Sequence, residues 1–253
     1  MLRLLSILLL VAAPMLWAGR RTEEMRALAI LAIALMLAGC GASRRADDVR
    51  PQGFLGDYSM LTPGAEGEAV LRYVNTGADW AKYDKVMVDP VTVWKSARAG
   101  DIPEQDLQTA ANFMYAQLRQ ELGKDFELVT APGPDALRVT AALTDAEPAN
   151  QTMVVVSNVV PFAIATSGAY EYVTGEPTWQ GAAAAEAKIT DAQTGELLAA
   201  AVDRRMGGRS MASAETSWTD VNTILAYWAQ LMRFRLCEQQ GRPGCERPQT
   251  GGL

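Results

Sequence analysis

Trp179 to Ile189 alternates along the chain, placing Glu186 and Lys188 on the opposite face from Ala185, Ala187 and Ile189. Asp191-Ala192-Gln193-Thr194-Gly195 follows, a hairpin turn with glycine where the backbone turns left-handed. Glu196 to Arg205 is the return strand. Period-two alternation on both sides of a tight turn commits these strands to antiparallel pairing.

The remaining elements fall into place around this hairpin. Lys85 to Trp94 (KVMVDPVTVW) is rich in β-formers but contains Pro90, which predicts an edge strand or two short strands about a kink. Asp101-Ile102-Pro103-Glu104 reads as a helix start, with Asp101 as the cap and Pro103 in the first turn. Leu107, Ala111, Met114, Leu118 and Leu122 continue at helical spacing, and Gly123 ends the helix. Phe126 to Val129 is a short strand, and Leu137, Val139, Ala141 and Leu143 form the inner face of a half-buried one. A last helix begins near Thr216, with Trp218, Val221, Leu225, Trp228 and Met232 as its apolar stripe. The order β-α-β-β-(apolar segment)-β-β-α predicts a single α+β domain over residues 70–240. Its architecture is a two-layer sandwich: a mainly antiparallel sheet with two amphipathic helices on one face.

The apolar segment, Met153 to Ala165 (MVVVSNVVPFAIA), fits no regular pattern. It is either a third core-covering helix or an exposed docking surface, and in the second case Val156 and Phe162 are contact residues.

The N-terminus reads as an address. Ala27 to Ala38 is an unbroken apolar run, too short to span a bilayer but of signal-peptide length, and Arg26 precedes it. It runs into Leu37-Ala38-Gly39-Cys40, which resembles the lipobox of bacterial lipoproteins. Small residues let the peptidase close on the chain, and the Cys40 thiol carries the lipid. Residues 1–39 are therefore expected to be a signal peptide. A second apolar run, Leu4 to Trp17, places the true start at Met25, with one transmembrane helix ahead of the lipobox as the alternative. Gly41, not Asp, follows the lipid cysteine, which implies sorting to the outer membrane, on its periplasmic face. Residues 40–69 are expected to be a flexible tether, because Gly41 to Gly53 carries almost no large apolar side chain. Residues 241–253 are expected to be a disordered tail. With Cys40 lipidated, Cys237 and Cys245 remain in an oxidising compartment and are predicted to form a disulfide about the turn Gly241 to Gly244.

The chain contains no histidine, which excludes a Ser-His-Asp triad, a Cys-His pair and an H-E-x-x-H zinc helix. Its formal charge of −6 argues against a nucleic-acid footprint.

Several blocks have a familiar look together. They are Gly53-Phe54-Leu55 with Asp57-Tyr58; Tyr83 to Val86 with Asp89-Pro90-Val91 and Trp94; Thr144 to Pro148; Asp191 to Glu196; and Asp203-Arg204-Arg205 with Gly207-Gly208. The final helix adds Trp218, Asp220, Val221, Tyr227 and Trp228. With the lipobox, they resemble the bacterial lipoproteins grouped as domain of unknown function 3313. The resemblance covers nearly the whole mature chain and implies no activity or catalytic residue. The Cys237/Cys245 pair departs from it.

Two polar constellations stand out. Asp145 and Glu147 share one face of a strand end, a spacing that suits paired carboxylates, but a polar strand terminus before Pro148 is the favoured reading. Arg204, Arg205 and Arg209 flank Gly207-Gly208 and offer guanidinium forks and glycine amides to an anion, against a bland reading as a strand end with surface ion pairs. Trp80, Trp94, Trp179, Trp218 and Trp228 read as core anchors. The function expected is a non-enzymatic adaptor or accessory subunit tethered to the outer membrane, partnered by the membrane and another envelope protein, with no cofactor or metal. The alternative is a periplasmic binding module for an anionic glycan or lipid, using the arginine cluster. A hydrolase built on carboxylates alone is the third class weighed.

Overall fold

The computed structural model describes residues 43–97, 102–149, 181–207 and 218–248. Their strands are β1 (Ser43–Arg45), β2 (Thr62–Pro63), β3 (Leu71–Val74), β4 (Lys85–Val88), β5 (Thr92–Val93), β6 (Glu127–Leu128), β7 (Ala136–Glu147), β8 (Ala182–Asp191) and β9 (Leu197–Gly207). The helices are α1 (Glu104–Leu122) and α2 (Thr219–Gln239). One sheet runs β2-β3-β9-β8-β7-β4-β6, with β1 paired to β9 and β5 to β7. The fold is α+β, as the alternation implied.

The hairpin forms as read, antiparallel from Ala182↔Met206 to Thr190↔Leu197. Gly195 turns it at φ 76°. The sheet is not antiparallel throughout, since β4 runs parallel to both β6 and β7. The connection from β4 through α1 carries the chain back over the sheet, which permits parallel pairing. The Pro90 stretch forms two short strands: among the described residues, β4 lies between β7 and β6, meeting β6 only at Lys85 and Val86, and β5 pairs with β7 alone. Proline is accommodated because pairing with β7 lapses between Val88↔Val139 and Thr92↔Ala142.

Leu137, Val139, Ala141 and Leu143 of β7 share one core with Leu107, Ala111, Met114 and Leu118 of α1 and Val221, Leu225 and Trp228 of α2. Helix α1 lies over β4, β5 and β7, whereas α2 lies over β1, β8 and β9. Pro103, not Asp101, stands at the α1 cap, and Asp101 is outside the described residues. Trp80 and Trp228 are buried; Trp94 and Trp218 are half-buried; Trp179 is outside the described residues.

Both expected boundaries shift. The described residues are already in the sheet at Ser43, within the segment expected to be a tether over 40–69. Ser43↔Gly207, Arg44↔Met206 and Arg45↔Arg205 pair along β9, and Ala46 is buried. Further on, Thr62–Pro63 pairs with β3. Local composition is poor in apolar groups here, but the backbone finds distant partners. The tail expected to be disordered over 241–253 is ordered as far as it is described, through Pro248. A Cys237–Cys245 disulfide closes it, Cα to Cα 5.7 Å. The Arg242 guanidinium donates to the Asp125 carbonyl at 3.3 Å, and that of Arg247 lies 5.4 Å from the Phe234 ring.

Candidate binding site

A half-open cavity of about 160 Å³ lies between the sheet and α2. Its sheet side is built from alanines. Ala185 and Ala187 of β8 and Ala199 and Ala201 of β9 line it, where β7 presents Leu137, Val139 and Leu143 to the helices. Trp228, Leu231 and Met232 of α2 form the opposite wall. Because methyl groups do not reach the helix, Ala187, Ala199 and Ala201 stay partly exposed although they face it. Charged groups sit along the lining: Glu68 is ion-paired with Arg72 and lies 3.6 Å from Arg235. Burial works against the Glu68 carboxylate, but Arg72, the Ala65 N–H and Arg235 hold its pKa below the ordinary 4.5.

Asp203 lies deeper in the same lining. It accepts the Trp228 Nε1–H at 2.7 Å and the Val70 N–H at 3.0 Å. Burial raises its pKa, with Trp228, Arg205 and Val70 acting against the rise.

Of the expected arginine cluster, the two described members, Arg204 and Arg205, do not converge on one site. Arg205 is 2% exposed, donates to the Ser43 hydroxyl and carbonyl at 3.3 Å each, and lies 4.2 Å from the Tyr227 ring centroid. Strand alternation sends it to the helix side, beside Asp203, and sends Arg204 to the outer face. There Arg204 pairs with Glu147 at 3.5 Å. The space at Gly207 is already taken: a Cβ there would collide with the Asp220 carboxyl carbon, while Gly208 lies outside the described residues. Asp220 accepts the Gly181 N–H at 2.9 Å, so the protein supplies its own anion at this end of the sheet. Arg209, Val156 and Phe162 lie outside the described residues, as do Leu37, Ala38, Gly39 and Cys40.

On the outer face Asp145 and Glu147 do come together. Burial, then the Glu147 charge and hydrogen bond, push the Asp145 pKa up to about 6, with Arg204 opposing. Nearby, Glu186 is fully buried on the same face. Its carboxylate accepts the N–H groups of Gln52, Phe54 and Leu55 and the Tyr58 hydroxyl. Sequence reasoning placed Glu186 away from the core but did not foresee its cover. Alternation identifies the face, while the partners stand more than a hundred residues upstream.

The family described as protein of unknown function, DUF3313, matches residues 50–232. This chain belongs to the DUF3313 family. Its relatives include the uncharacterized lipoprotein YdcL of Escherichia coli strain K12, 29% identical over 177 residues, covering 69% of this chain and 78% of the relative. The YdcL of Escherichia coli O157:H7 matches to the same extent. Among solved structures, a PelC dodecamer from Paraburkholderia phytofirmans aligns at TM-score 0.36 and 10% identity, over 68% of this chain and 95% of that one. That likeness is too slight to argue from.

In this DUF3313 chain three pairs of the blocks that carried the resemblance meet: Tyr83 donates to Asp191 at 2.9 Å, Asp203 receives Trp228, and Asp220 packs on Gly207. Block 53–58 closes instead on Glu186, which lies outside the blocks. These blocks brace the fold, whereas the cavity is lined largely by residues between them.

Proposed function

We propose that this DUF3313 protein is an outer-membrane lipoprotein, anchored through Cys40 on the periplasmic face, that works without catalysis as an adaptor or accessory subunit of the cell envelope. The observation that carries this reading is the position of β1. Only Gly41 and Ala42 separate Cys40 from a strand of the sheet, a reach of roughly 11 Å when extended. A domain joined so closely to its lipid works at the membrane surface, by contact with whatever shares that surface. The lipobox and the lipoprotein relatives support the anchor, and Gly41 supports the outer membrane.

The test is fractionation of envelopes carrying the wild-type chain and Cys40→Ser, followed by crosslinking and recovery of partners. The wild type is expected with outer-membrane markers and the variant in the soluble fraction. Sedimentation of Cys40→Ser with membranes would refute the anchor, and recovery with inner-membrane markers would refute the sorting.

The second reading, a binding module, is favoured by the cavity. Its apolar walls suit a lipid and not a glycan, and the arginine pair Arg204/Arg205 takes no part in it.

A further inference from the structure

We propose that the cavity under α2 binds one free, unbranched fatty acid of about eight carbons, its tail on the alanine floor and its carboxylate at Arg72. This deepens the lipid-binding reading above and does not depend on whether Cys40 is acylated.

Three observations carry it. The first is size and lining. An apolar cavity of about 150 Å³ admits a benzene ring. This one, at about 160 Å³, is open on one side, so a slightly longer and thinner tail fits with its head at the mouth.

The second is how the space arises. Strands β8 and β9 place Ala187 directly opposite Ala201, and Ala199 opposite Ile189. Large side chains at these positions would fill the gap to Trp228 and Leu231, as Leu137 and Leu143 do under α1. The gap is therefore encoded by side-chain choice at facing positions of a regular ladder.

The third is the charge at the mouth. Arg235 is occupied, donating to Glu238 at 2.8 Å and to the Gly67 carbonyl at 3.0 Å. Arg72 gives one N–H to Glu68, and a guanidinium has five, so a planar fork remains for a carboxylate. Glu68 beside it repels an anion, which keeps binding weak unless the tail is also buried. Tail and head are thus required together, and this selects a monoacyl acid over a bare anion or an alkane.

The experiment uses the full chain carrying Cys40→Ser, purified without detergent and titrated calorimetrically with octanoate and with octanol. Octanoate is expected to bind with one-to-one stoichiometry. Ala187→Leu, which fills the floor, should weaken it at least tenfold with an unchanged or raised melting temperature. Arg72→Gln should weaken octanoate severalfold and leave octanol unaffected. If Ala187→Leu does not fold, Met232→Trp fills the cavity from the helix wall and serves in its place. Absence of octanoate binding, or wild-type affinity in a folded filled variant, overturns the proposal. So does flotation with phosphatidylglycerol vesicles that is sensitive to Ala187→Leu without octanoate binding, which would make a bilayer chain the occupant. Failure of the anchor would appear in fractionation and leave this titration untouched.

Discussion

The Tyr58 hydroxyl donates to Glu186 at 2.5 Å, joining residues 128 positions apart across the outer face of the sheet. With the N–H groups of Gln52, Phe54 and Leu55, it converts a buried acid from a liability into a clamp on the segment that follows β1. Glu186→Ala leaves these neutral donors without their acceptor and is expected to cost about 1–3 kcal/mol. Tyr58→Phe removes one bond and should cost about 1 kcal/mol. Urea denaturation gives the stabilities, and hydrogen exchange over residues 52–58 should rise in both. Unchanged exchange there in Glu186→Ala would show that the clamp does not hold the segment.

Asp191 joins the hairpin turn to the segment before β4. Its oxygens accept the Gln193 and Thr194 N–H groups at 2.9 Å, Tyr83 at 2.9 Å and Lys82 at 3.1 Å. Burial opposes the carboxylate, but the Thr194 amide, Tyr83, Lys82 and the Gln193 amide outweigh it and hold the pKa well below the ordinary 3.8. The folded form therefore binds its proton later than the unfolded chain. Its stabilisation is present above pH 3.8 and is lost as pH falls through the lowered folded value. Asp191→Asn should cost about 2 kcal/mol at pH 7 and flatten the acid limb of the stability profile. An acid limb identical to the wild type would refute the assignment.

Asp145 behaves in the opposite sense. Its folded pKa of about 6 lies above the ordinary 3.8, so the folded protein binds a proton more readily than the unfolded chain. Stability should rise as pH falls through 6, and the strain is full above it. Asp145→Asn is expected to stabilise at pH 8 by on the order of 1 kcal/mol, after allowance for partial solvent screening. That gain should shrink toward pH 5. A gain independent of pH would mean that Asp145 is not the titrating group.

Gly207→Ala tests the contact with Asp220. The added methyl would collide with the Asp220 carboxyl carbon and Oδ2, so one of the two must shift. A loss of about 1–3 kcal/mol is expected from overpacking. A melting temperature equal to the wild type would show that Asp220 can leave this position without cost.

The Cys237–Cys245 link spans eight positions at the end of α2. Replacing both with serine should cost roughly 2–3 kcal/mol by the chain-entropy account. It should also speed cleavage after Glu246 by a glutamate-specific protease. Equal cleavage with and without the link would show that packing of Arg242 and Arg247 suffices to order the tail.

Local pattern alone specifies the hairpin, both helices and the faces they bury. A period of two on either side of Gly195, and a period near four from Leu107 to Leu122, are each legible within one window. The same patterns show that Glu186 points away from the helices, and that Asp145 and Glu147 share a face. What meets these side chains is settled by long-range packing. Residues 43–53 look like a tether because they carry little apolar surface, yet β9 and Glu186 satisfy their backbone from far along the chain. Arg205 looks like an anion site until alternation and α2 turn it onto Tyr227. The cavity is the least legible feature. A run of alanines in a strand is ordinary as a string of letters, and becomes a void only when a helix crosses above it at a height set by larger side chains elsewhere in the core.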